Sequence, residues 1–85
     1  MTPAEKQQVR QRIGLRIMAL REQAGLSQGQ LGEMAGLQRT HVCRIEAGKY
    51  AVTLETLQAI ADALGMTVDI VDPRLEGLTP LKELK

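Results

Sequence analysis

Residues Ser27 to Gly48, SQGQLGEMAGLQRTHVCRIEAG, leave the backbone few choices. Ser27 followed three residues later by Gln30 is a capping box, so a helix starts there. Leu31 and Met34 recur at helical spacing and should face inward, and Gly36 ends the segment after about Ala35. A second helix is expected over about Gln38 to Ala47, with Val42 and Ile45 inward, and Gly48 stops it. Helices this short are marginal in water by themselves, so both must pack on something else. Two short helices joined by a tight glycine turn, the second carrying polar and basic side chains, are the usual way to lay a helix in the major groove of DNA.

The flanks supply the rest of a small bundle. Thr2-Pro3-Ala4-Glu5 starts a long helix, with Thr as cap, Pro at the first position and Glu at the third. It runs to about Ala24, with Ile13, Ile17, Leu20 and Ala24 as its buried stripe and Gly25 as its terminator. Gly14 interrupts it at a cost of roughly 1 kcal/mol against Ala, so its first turns are expected to fray. Lys49 to Val52 form a loop. Thr53 caps a further helix with Glu55 in its first turn, where the dipole favours an anion. Leu57, Ile60, Ala61 and Leu64 form its inner face, and Gly65 ends it.

Beyond Gly65 the period changes. Thr67, Val68, Asp69, Ile70 and Val71 are mostly β-branched, with polar and apolar residues alternating over 67–70, which reads as a short strand. A single strand is not stable alone. Its partner would be the same strand of a second subunit; the alternative is an extended arm packed on the helices. Asp72-Pro73 breaks it. Residues 1–72 are thus expected to form one domain with 67–71 as its dimerising strand, and 73–85 a C-terminal tail that orders only on docking.

Composition narrows the function. The chain has 85 residues, so its core is small and dimerisation would supplement it. Apolar residues make up 44%, but Tyr50 is the sole aromatic, so the core must be aliphatic, with Met18, Met34 and Met66 as filler. Cys43 stands alone and no Cys/His cluster has ligand spacing, so no disulfide, metal or cofactor is expected, as suits a reducing cytosol. No apolar run reaches the roughly 18 residues of a membrane span, and the start MTPAEKQQVR carries no signal-peptide core. No nucleophile–base pair, glycine-rich phosphate loop or paired carboxylates support an enzyme. Net charge is only +1, but it is unevenly spread. Residues 1–50 hold eight basic and four acidic residues; residues 51–72 hold four acidic ones (Glu55, Asp62, Asp69, Asp72) and no basic ones. That segregation fits one face for phosphate and another for a different partner, or an ordinary solvated surface.

Several motifs recur together. They are Arg21, Gly25-Leu26-Ser27-Gln28, Leu31-Gly32, Gly36-Leu37, Val42-Cys43-Arg44-Ile45-Glu46 and Gly48, followed by the run from Thr53 to Gly65. Leu20 to Gly48 resembles the phage-repressor type of helix-turn-helix, the Cro/C1 or XRE family, and the likeness extends over about residues 15–65. It implies an all-α fold: a lambda-repressor-like bundle of four to five helices, with the short C-terminal β-strand pairing across a homodimer. It also implies roles for residues. Gln38, Arg39, Thr40 and Arg44 match positions used for base and nearby phosphate contacts, and Arg, Gln and Thr have well-defined partners on base edges. Ser27 and Gln28 at the start of the second helix, and Lys49 after the third, would hold phosphates; plain helix capping is the other role open to Gln28. Arg21 and Glu46 match a largely buried ion pair between the first and third helices, a structural role.

Two residues depart from the pattern. Gly32 stands where a small Ala is usual; it still permits close helix approach but weakens the second helix, as Gly29 does. Cys43 stands where Ser is usual; it is either a simple small-residue replacement or an oxidisable thiol on the DNA face. His41, the only histidine, reads as a surface residue. The function implied is repression by a homodimer on an inverted-repeat operator, its two reading helices about one DNA turn, roughly 34 Å, apart. The partner would be double-stranded DNA, in the cytoplasm of a bacterium or a phage host, on the nucleoid, with no membrane. The terminal strand also resembles that of HipB-type antitoxins, which repress their own operon and bind a toxin protein. The reading from another class is a protein-interaction module that keeps the fold without binding DNA.

Overall fold

The computed structural model describes residues 1–71 and contains four helices: α1 Pro3–Gln23, α2 Gln28–Ala35, α3 Arg39–Glu46 and α4 Leu54–Ala63. Each start has a local cause. Thr2 accepts from the Glu5 amide while the Glu5 carboxylate accepts from the Thr2 amide, and Ser27 and Gln30 repeat the arrangement at α2. Thr53 caps α4 by accepting from the Thr56 amide. Gln38 precedes α3 as its cap residue but makes no side-chain cap bond.

Gly36 shows how the central corner is made. Its φ of +72° reverses the chain, and the Leu37 amide then donates to the Gly32 carbonyl at 2.7 Å. This closure satisfies carbonyls that the last turn of α2 would leave open. The loop passes so close to α2 that a Cβ on Gly32 would sit 2.5 Å from the Leu37 carbonyl oxygen. The close approach expected at Gly32 is thus made by the loop that follows the helix.

Gly14 is a similar case. The helix is continuous from Pro3 to Gln23 across this glycine. Gly14 is buried, and a Cβ there would lie 2.5 Å from the Ile45 carbonyl oxygen and 2.6 Å from that of Glu46. The residue lets α1 lie directly on the end of α3. Upstream, the Gln7 amide donates to the Gly48 carbonyl at 3.1 Å, tying the early turns of α1 to the loop after α3.

The core is aliphatic. Ile17, Leu31, Val42, Ile45 and Ile60 form its buried cluster, with Ile13, Leu37, Val52, Leu57 and Leu64 packed around it. α2 packs on both α3 and α4, and α1 on α3. Three residues expected inside lie outside: Ala24 and Met66 are exposed, and Met34 is 57% exposed. The inward side of α2 is centred on Leu31, Gly32 and Ala35, and Met34 points about 100° away from it at 3.6 residues per turn.

No strand occurs among the described residues. The strand expected over Thr67, Val68, Asp69, Ile70 and Val71 is not formed within the chain, because a strand needs a ladder partner and no other extended segment lies beside it. Met66 to Asp69 instead run along the groove between α1 and α4, beside Ile17, Leu20, Leu57 and Leu64. Of these only Val68 is half-buried, and beyond them Ile70 is 92% exposed and Val71 is also exposed. Asp72 and the tail 73–85 lie outside the described residues. Among the described residues no helix is long and apolar enough to cross a membrane.

Candidate nucleic-acid interface

α3 has two faces with opposite chemistry. Val42, Ile45 and Glu46 are buried; Arg39, Thr40, Cys43 and Arg44 are exposed. The helical period sets Val42 and Ile45 opposite Thr40 and Arg44, while Glu46, seven residues on from Arg39 and nearly in line with it, is buried by its pairing with Arg21. Gln38 is exposed at the cap.

The buried side is fixed by an ion pair. Arg21 Nε donates to Glu46 Oε2 at 2.6 Å and Arg21 Nη2 donates to Oε1 at 3.0 Å, a two-pronged geometry. The side chains are only 11% and 3% exposed. Arg21 Nη1 also donates to the Leu26 carbonyl at 2.7 Å. The guanidinium thus joins the end of α1, the α1–α2 connection and the end of α3. Hydrogen bonding to Glu46 raises the Arg21 pKa, against the opposing effect of burial, so the guanidinium stays charged. For the outer surface this matters: the acidic residue of α3 is turned inward and neutralised, leaving Arg39 and Arg44 as the charges of its exposed face.

Gln28 is partly committed elsewhere. Its amide Nε2 donates to Glu46 Oε1 at 3.1 Å, so the side chain extends the ion-pair network inward. Ser27 is exposed and its hydroxyl accepts the Gln30 amide. The Lys49 side chain is exposed. Its backbone amide donates to the Arg44 carbonyl at 2.9 Å as the chain turns at Gly48. Ammonium rather than amide is what Lys49 offers. The Arg39 stem lies over the start of α2, its Cδ 3.8 Å from where a Gly29 Cβ would be.

Tyr50 is the residue that sequence reasoning left out. Its hydroxyl accepts from Arg44 Nη1 at 2.6 Å, and its ring meets His41 edge to face, centroids 5.3 Å apart and planes at 87°. Gln38, Thr40, His41, Arg44 and Tyr50 together line a shallow cleft of about 390 Å³ on the α3 surface. Being the sole aromatic, immediately after a basic helix, was the signal available. Cys43 is exposed as a free thiol on the same helix.

A family model described as helix-turn-helix, HTH_3, matches residues 17–71. This chain belongs to the HTH_3 family. It is 42% identical over 59 residues to the immunity repressor protein of Bacillus phage phi105, covering 69% of this chain and 41% of the repressor. It is 37% identical over 61 residues to an HTH-type transcriptional regulator of Haemophilus influenzae, covering 72% of this chain and 62% of that protein. The match thus spans less than two thirds of either relative. Among solved structures it is similar to the restriction-modification controller protein C.AhdI of Aeromonas hydrophila, with a TM-score of 0.65 and 36% identity over 66% of this chain and 85% of that one. A Vibrio cholerae regulator of the HTH_3 family superposes with a TM-score of 0.70 at 26% identity, over 73% of this chain and 35% of that one. All-α architecture, the helix-turn-helix and DNA-binding transcription regulation are properties of this family.

Proposed function

We propose that this HTH_3 chain is a transcriptional repressor that binds an inverted-repeat operator as a homodimer, with the exposed face of α3 in the major groove. One observation carries the reading: α3 presents Arg39, Thr40 and Arg44 to solvent while its carboxylate is buried on Arg21. Arginine reads guanine through two parallel bonds and threonine packs on a thymine methyl, so these residues carry base preference. Ser27, Gln28 and Lys49 flank the helix and supply phosphate contacts from hydroxyl, amide and ammonium. Arg21 and Glu46 hold the frame. Exposed Ile70, Val71 and Leu54 give a second copy apolar surface to cover, with Thr67 to Val71 as the pairing strand of the dimer. No catalytic step is assigned to the protein.

The names of its relatives, an immunity repressor and a controller protein, favour a free-standing regulator over an antitoxin with a toxin partner. Selection of random DNA duplexes on the purified protein, followed by sequencing, tests the reading. Enrichment of an inverted repeat with half-sites about 10 base pairs apart is expected. Enrichment of a lone half-site would remove the dimer. No enrichment even at low salt, where phosphate contacts are strongest, would remove DNA as the ligand and favour a protein-interaction module.

A further inference from the structure

We infer that Tyr50 is a specificity-determining positioning residue: it holds the Arg44 guanidinium ready for one base pair of the operator. The inference rests on the DNA reading above and adds a loop residue to it. An exposed arginine samples many rotamers, and ordering it on binding costs affinity. Here Arg44 is ordered beforehand. Its Nη1 donates to the Tyr50 hydroxyl at 2.6 Å, and its central carbon lies 5.6 Å from the ring centroid. The tyrosine is in turn braced by His41, whose ring meets it edge to face at 5.3 Å, within the favoured range for such pairs. His41 and Arg44 are three apart on α3, so one aromatic ring reaches both from the loop.

The bond leaves the reading edge intact. With Nη1 on Tyr50, the Nε and Nη2 donors remain, and they form one side of the planar fork. Arg21 shows what that edge does in this protein: its Nε and Nη2 grip both oxygens of Glu46. Guanine likewise offers two adjacent acceptors, O6 and N7, to a bidentate arginine. The cleft lined by Gln38, Thr40, His41, Arg44 and Tyr50 is where the base edge would enter.

The test is duplex selection and affinity measurement with wild type, Tyr50→Phe, Arg44→Ala and the double variant. Tyr50→Phe keeps the ring against His41 and removes only the hydroxyl; circular dichroism checks the fold. Expected is a weakened guanine preference at one base pair per half-site, the same one lost in Arg44→Ala, with operator affinity down roughly 3- to 10-fold. In the double variant the Tyr50 change should cost nothing further. An unchanged preference in Tyr50→Phe overturns the inference. So does an equal loss on all sequences with a shallower salt slope, the mark of a phosphate contact. Additive losses overturn it too. Failure of the wild type to select any sequence would instead overturn the DNA reading itself, and the inference with it.

Discussion

The inner and outer sides of α3 are built from neighbouring residues and obey different constraints. On the inner side, Glu46 touches Arg21 and Gln28, and the backbone at Ile45 and Glu46 lies against Gly14 with no room for a methyl group. On the outer side, Arg39, Thr40 and Cys43 are exposed, and Arg44 is held by a loop tyrosine. The inner side is determined by packing, so almost any change there is a change in stability. The outer side is nearly free of folding constraints and can carry information about a ligand. A small domain can in this way alter what it reads without altering how it folds.

Substitutions should separate along that line. Glu46→Ala leaves the Arg21 guanidinium buried without its partner and should cost about 3–5 kcal/mol, enough to threaten a domain of this size. Urea unfolding measures it; a loss under 1 kcal/mol would mean that the inner side is less constrained than described. Gly32→Ala comes next. Helix propensity favours alanine by about 1 kcal/mol, but its Cβ would meet the Leu37 carbonyl at 2.5 Å. A net loss of about 1–3 kcal/mol is expected, and a gain would show that the corner can relax. Gly29→Ala lies three residues away in the same helix and reverses the sign. Its Cβ finds ordinary contacts at 3.8 Å and beyond, so a gain of up to about 1 kcal/mol is expected.

The smallest effect concerns acid. The Thr2 backbone amide and hydroxyl hold the Glu5 pKa below its ordinary value. A lowered folded-state pKa contributes stability that is present above the unfolded value and is lost as pH falls through the folded one. The N-terminal turn of α1 should therefore loosen at pH values below the usual carboxylate range, and Glu5→Gln should abolish that dependence. Amide exchange at the first turns of α1 reads it directly.

Much of this architecture is legible in the sequence, for local reasons. Thr2, Ser27 and Thr53 announce helix starts through capping chemistry that needs no tertiary contact. The four helices and their glycine stops follow from such signals and from the 3.6 period. What period cannot give is close backbone approach. Gly14 reads as a defect because helix propensity is a local quantity, while the carbonyl that excludes a side chain there comes from 31 residues further along; at Gly32, where close approach was legible, the carbonyl comes from 5 residues on. Met34 was expected inward with Leu31, but the buried side of α2 is centred on Leu31, Gly32 and Ala35. Thr67 to Val71 carry a strand pattern that one chain cannot satisfy. At the interface, residue type and spacing pointed to Arg39 and Arg44, but nothing in the spacing linked Arg44 to Tyr50 or Gln28 to Glu46. Side-chain pairing across a turn is visible only once the turn is built.

The outer side of α3 is proposed to read DNA while contributing little to folding. The most direct test is the Arg39→Ala, Arg44→Ala double variant, followed in parallel by thermal unfolding and by affinity for the selected operator. The account predicts a stability within about 0.5 kcal/mol of wild type and an operator affinity reduced roughly a hundredfold or more, as two lost base contacts require. A folded double variant that binds the operator as tightly as wild type would contradict it.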